Sequence, residues 1–146
     1  MIQGYILLGR IYPSQRMTQK GQWVKANAIK HKACKADLKL QYRTQFNYRD
    51  YRMFPEKTPL GVFIYMSVNE RTHIDDMENK QKMAIDSAQG IVLKDDKYVD
   101  FIQVRRDFHP DQDPLCLMLF GLKQEFTSIW LASLSFIEPI RKDLAL

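Results

Sequence analysis

The 146-residue chain has only two cysteines, Cys34 and Cys116, far apart and without a CxxC pair or a histidine at zinc-ligand spacing. This excludes a disulfide framework or a zinc module built on them, and both thiols read as reduced core groups. Crossing a bilayer as a helix takes roughly 20 apolar residues. The apolar run Phe126–Ile140 is shorter than that, and Pro139 interrupts its end. The opening MIQGYILLGRIYP lacks a basic start and a small-residue cleavage site, so it reads as a strand and not as a signal peptide. A cytoplasmic protein with no membrane segment is expected. No internal repeat or low-complexity segment is present.

Acidic residues are scarce in one half of the chain. Residues 1–57 hold twelve Lys/Arg and three Asp/Glu, a net of +9, whereas residues 58–146 hold ten and fourteen, a net of −4. The total is +5. A basic half attracts polyanions, and an acidic half with clustered carboxylates repels them unless a cation intervenes. Length and an apolar fraction of 45% suit one globular domain with its own core, here taken as residues 1–146.

The hydrophobic period orders the elements. Ile2–Ile11 reads as a strand ended by Pro13-Ser14, and Ser14–Gln22 as a polar loop carrying Arg16 and Lys20. Trp23, Ala26, Ile29, Ala33, Ala36 and Leu40 recur at steps of three and four, predicting a helix with these residues on its core face. Lys25, Lys32, Lys35, Lys39 and Arg43 form an adjoining basic stripe, suited either to solvent or to a nucleic-acid backbone. Gln45–Glu56 interleaves aromatic and Arg residues, which can stack on unpaired bases or cap a core edge. Leu60–Val68 is a strand with both faces covered, Met77–Gln89 a helix ended by Gly90, and Tyr98–Arg106 and Leu115–Leu122 two further strands. Helical spacing of Phe126, Ile129, Trp130, Leu134 and Ile137 suggests a closing helix. The expected architecture is a single mixed α/β (α+β mixed sheet) domain of order β-α-β-α-β-β-α.

Carboxylates cluster in the acidic half. Asp76 and Glu78 flank one residue at a strand-to-helix junction, and Asp95 and Asp96 lie in a turn before the third strand. If that strand neighbours Leu60–Val68, the two acidic turns are expected to meet at one end of the sheet. Converging carboxylates need a compensating cation, and a hard divalent ion such as Mg²⁺ or Mn²⁺ suits oxygen ligands and phosphodiester hydrolysis. Lys82, four residues after Glu78, shares its helix face and can reach a phosphate. Asp76 can equally serve as a plain helix cap. His73 stands alone in a turn and is left out of the expected site.

The order Asp76-Met77-Glu78-Asn79-Lys80-Gln81-Lys82, then Asp86, then Asp95-Asp96-Lys97-Tyr98-Val99, resembles the D-x-D-N-x-x-K, D, D-D pattern of the RusA-type Holliday junction resolvases. The early loop Tyr12-Pro13-Ser14-Gln15-Arg16 is similar in kind, and the likeness spans about residues 2–122. Residues 123–146 stand outside it as a C-terminal helical extension. The resemblance implies a Mg²⁺-dependent endodeoxyribonuclease, working as a homodimer on four-way DNA junctions in recombination and repair, of a family common in phages and prophages. It further implies Asp76, Glu78 and Asp96 as metal ligands, with Asp95 as the alternative to Asp96, and Lys82 as the catalytic lysine. Asn79 and Asp86 would support the helix. DNA contacts are expected from Arg16, Lys20, Lys25, Lys32, Lys35, Lys39, Arg43 and Arg71.

Two departures from the pattern stand out. Glu78 stands where the second Asp is usual, adding a methylene. Ile74 and Asp75 stand where basic residues are usual, placing negative charge where DNA would approach, with Arg71 and the basic half to offset it. These departures leave two other readings open. One is a non-catalytic branched-DNA-binding protein with a degraded metal site, and the other is a small interaction protein presenting Trp130 and Phe136 to a recombination partner.

Overall fold

A computed structural model describes residues 1–12, 24–73 and 75–126. Its elements are β1 (Gln3–Leu8), α1 (Val24–Tyr48), β2 (Leu60–Val68), α2 (Met77–Ala88), β3 (Val99–Phe108) and β4 (Leu115–Leu122). Short 3-10 turns cover Asp96–Tyr98 and Lys123–Glu125. The mixed α/β class is as expected, and β2 and β4 have the expected bounds. The anticipated closing helix, with Trp130 and Phe136, lies outside the described residues.

The four strands form one mixed sheet in the order β1-β4-β2-β3. β4 pairs antiparallel with both β1 and β2, and β2 pairs parallel with β3. A parallel pair needs a crossover, which α2 supplies. Every residue of β2 is buried, as befits a central strand covered on both faces. Val62, Ile64, Met66 and Val68 join Leu38 and Tyr42 of α1 and Met83, Ala84 and Ile85 of α2 in the main core. Phe63 and Tyr65 point the other way, packing with Leu117 and Phe126. The two helices therefore share one face of the sheet, tied together where the buried Tyr42 hydroxyl donates to the Ala84 carbonyl at 2.9 Å.

α1 does not present the face that its spacing predicts. Ile29 and Leu40 are 67% and 63% exposed, and Ala33 and Ala36 also face solvent. The buried positions are Cys34, Leu38 and Tyr42. Beside them, Gln41 and Gln45 close the outer edge of β1. The Gln45 side chain accepts from the Ile6 N–H and donates to the Ile6 carbonyl, and Gln41 does the same at Leu8. Two amides thus act as a surrogate strand, which ties the helix rotation to polar partners as well as to apolar burial.

Candidate active site

α2 begins where the turn after β2 ends. Asp76 is its N-cap: the carboxylate accepts the Asn79 backbone N–H at 3.0 Å, satisfying a donor the first turn would otherwise leave free. Positions 78, 82 and 86 then repeat at intervals of four and fall on one helix face. Glu78, Lys82 and Asp86 line an open cavity of about 330 Å³, with Asn79, Gln81 and Ile85 from α2 and Asp96, Val99 and Ile102 from the β3 side.

Asp95 and Asp96 are separated by their local geometry. The Asp95 carboxylate caps the 3-10 turn by accepting the Lys97 N–H at 3.0 Å, with the Lys97 ammonium 3.6 Å away. Its pKa is lowered, first by that backbone hydrogen bond. Asp96 instead lines the cavity opposite Asp86, where partial desolvation and then the Asp86 charge, with Asp95 adding to it, push its carboxyl above the ordinary value.

The expected convergence of Asp76, Glu78 and Asp96 is not what the topology gives. β3 does neighbour β2, but in parallel, with Leu60 opposite Val99 and Val68 opposite Phe108. The Asp96 turn precedes β3 and so lies near the start of β2, whereas Asp76 follows the end of β2. The 12-residue α2 spans the interval, roughly 18 Å at 1.5 Å per residue. Glu78 and Asp96 share the cavity, while Asp76 is not among its lining residues. Among the described residues, no group of three or more His, Cys, Asp or Glu is arranged to hold a metal ion. Three carboxylates line the cavity, Glu78, Asp86 and Asp96, and the two that act on each other are Asp86 and Asp96. Asp86 is the carboxylate that the pattern reading assigned to packing, although its place four residues after Lys82 already put it on the same face.

The expected DNA contacts divide. Lys32, Lys35 and Arg43 are exposed along α1, and Arg71 is exposed in the turn after β2. Lys39 is half-buried and donates to the Gln89 carbonyl at 3.1 Å, and burial followed by repulsion from Lys35 and Arg43 lowers its pKa. Arg16, Lys20 and the side chain of Lys25 lie outside the described residues. In the aromatic segment Tyr48 is 89% exposed, whereas Phe54 is buried and Tyr51 packs against the core. His73 is exposed, and its ring meets Phe108 edge-on at 5.2 Å.

Asp75 has partners that its sequence neighbours do not reveal. Its carboxylate receives two hydrogen bonds from Arg10, at 2.9 and 3.2 Å, and lies 3.1 Å from the Lys80 ammonium. Its carbonyl accepts from Arg106 at 3.1 Å. Burial alone would raise the Asp75 pKa, but the hydrogen bonds and charges of Arg10 and Lys80 outweigh it and hold the carboxyl below its ordinary value. The negative charge expected to oppose DNA is thereby neutralised within the fold. Neither a protein-family model nor a curated protein matches the chain.

Proposed function

We propose that this protein is a divalent-metal-dependent, structure-selective endodeoxyribonuclease that cuts Holliday junctions or related branched DNA, as the RusA-type resemblance implies. The observation that carries the reading is the cavity where Glu78, Lys82 and Asp86 on one face of α2 meet Asp96. The donors there are carboxylate oxygens, and Asp86 and Asp96 repel each other. That combination fits a hard cation such as Mg²⁺, with Mn²⁺ as a substitute. When bound there, such an ion supplies an activated water and stabilises charge on the leaving oxygen of a phosphodiester.

The remaining work falls to the chain. Asp86 and Asp96 would provide an oxygen pair for the ion, with Glu78 in the first turn of α2 as a third carboxylate lining the same cavity. Lys82 directs its ammonium to a phosphate oxygen. Asp76 holds the first turn of α2 in place through Asn79 and thereby orients Glu78. Lys32, Lys35 and Arg43 contact phosphates with salt-sensitive affinity. A two-fold homodimer would set one such site on each of two opposing strands of a four-way junction.

The test is cleavage of a synthetic four-way junction with Mg²⁺ or Mn²⁺, alongside gel-shift binding without metal. Asp96→Asn and Asp86→Asn should abolish cutting while binding persists or strengthens. Asp76→Asn separates two roles, because Asn caps helices about as well as Asp. Retained cutting is the result expected of a cap, and lost cutting would mean that the cavity without Asp76 is not the metal site. Wild-type rates from Asp96→Asn would sink the site. The arrangement of the carboxylates, with no ligating group of three among the described residues, favours one second reading, a non-catalytic branched-DNA-binding protein. Metal-independent binding by a wild type that never cuts would establish it.

A further inference from the structure

The cluster around Asp75 lies at the end of α2 away from Asp96. Lys80 is only 3% exposed, which a lysine tolerates only with partners. Its ammonium pairs with the Asp75 carboxylate and donates to the Thr72 carbonyl at 3.2 Å, so its role is internal. Arg10 and Arg106 are different. Arg10 follows β1 and has a side chain 37% exposed, and Arg106 on β3 is exposed. Both are fixed by Asp75, Arg10 through two hydrogen bonds to the carboxylate and Arg106 through one to the carbonyl.

Among the described residues, each guanidinium has donors to spare. Arg10 uses Nε and Nη2 and Arg106 uses Nη1, and among the described residues the other N–H groups have no acceptor. Arg10 also sits 4.9 Å over the Tyr12 ring, which further restricts it. Three cations against the single Asp75 carboxylate leave the cluster with surplus positive charge. Preorganised guanidiniums with free N–H forks match the geometry of phosphate oxygens.

We propose that Arg10 and Arg106 form a phosphate-contact pair for the nucleic-acid backbone, with Asp75 as the positioning residue that holds both guanidiniums. This rests on the nucleic-acid reading above and deepens it: the basic contact absent from position 75 itself is supplied by Arg10, just after β1, and Arg106, on β3, and Asp75 is what gathers it.

Metal-free binding of a synthetic four-way junction, followed by fluorescence anisotropy from low to moderate salt, tests the pair, with Lys57→Ala as a surface control. Arg10→Ala and Arg106→Ala should each weaken binding about 3- to 10-fold and reduce the slope of log K against log salt by about 0.9, the value for one phosphate contact. Arg10→Lys and Arg106→Lys, which keep the charge, should keep the slope and lose a few-fold in affinity. They also serve if an alanine variant fails to fold. Asp75→Asn, measured on protein that circular dichroism shows to be folded, tests positioning: removing a negative charge should tighten binding if only net charge matters, and should weaken it if the Asp75 carboxylate aims Arg10. Wild-type slopes for the arginine variants, or tighter binding by Asp75→Asn, would overturn the proposal while junction binding and cleavage by wild type still stood. A wild type that binds no DNA would overturn both.

Discussion

Asp75 and Asp76 are adjacent and carry the same side chain, yet the fold gives them different tasks. Asp76 turns into its own helix and was legible as a cap from the residues that follow it. Asp75 turns to Arg10, 65 positions earlier, and no local spacing could have announced that pairing. Its consequence is acid sensitivity. The folded pKa lies below the ordinary value of about 3.9, so Asp75 contributes stability above that pH, and the contribution fades as pH falls through the folded value. Asp75→Asn leaves Lys80 buried without its counter-charge, and breaking such a pair costs about 3–5 kcal/mol at pH 7. Urea melts should show that gap between wild type and variant narrowing toward pH 3. An equal gap at both pH values would contradict the assignment. The cysteines illustrate the opposite situation, since their scarcity and isolation already suggested buried thiols. Burial pushes the Cys116 thiol up to about 12 and also raises Cys34, so both are protonated at neutral pH. Neither should react with a thiol reagent until the protein unfolds, and prompt labelling of Cys116 in the native state would show that β4 is open.

At the scale of elements, the strands were more legible than the rotation of α1. β2 and β4 are continuous apolar runs, and their lengths follow from composition alone. α1 was misassigned because four small or aliphatic residues in helical register, Ile29, Ala33, Ala36 and Leu40, looked like a core face. The sheet instead takes Leu38 and Tyr42, together with Gln41 and Gln45, whose value appears only once the unpaired edge of β1 exists. Those amides satisfy the N–H and C=O of Ile6 and Leu8, each bond contributing about 0.5–1.5 kcal/mol net. They also block a strand edge that could template association. Because these four bonds are exposed and water replaces part of each, the double variant Gln41→Ala/Gln45→Ala should lose only about 1–3 kcal/mol in urea unfolding and scatter more light at high concentration. Unchanged stability and unchanged scattering would mean that water replaces the glutamines at no cost.

For the whole molecule, the connection β2-α2-β3 decides what the candidate site can be. The four-residue spacing of Glu78, Lys82 and Asp86 survives folding because a helix preserves it. The meeting of Asp76 with Asp96 does not, because a parallel crossover puts those two turns at opposite ends of the sheet. What remains is a carboxylate pair, Asp86 and Asp96, held facing each other across a cavity. A raised folded pKa means that the native state binds more protons than the unfolded chain between the ordinary carboxylate value and the raised one. Stability therefore falls as pH rises through that window and stays reduced at neutral pH. Asp96 is largely exposed, so solvent screening keeps the effect small. Removing the charge should relieve it: Asp96→Asn, without divalent ions at pH 7, should melt about 1–3 °C above wild type, as expected for a gain below roughly 1 kcal/mol in a domain of this size. Adding millimolar Mg²⁺ should raise the melting temperature of wild type by binding the native state alone and leave Asp96→Asn unmoved. The two proteins would then exchange rank as Mg²⁺ is added. If Asp96→Asn melts lower than wild type without metal, the pair is not repulsive. If both respond equally to Mg²⁺, the ion binds somewhere other than this cavity.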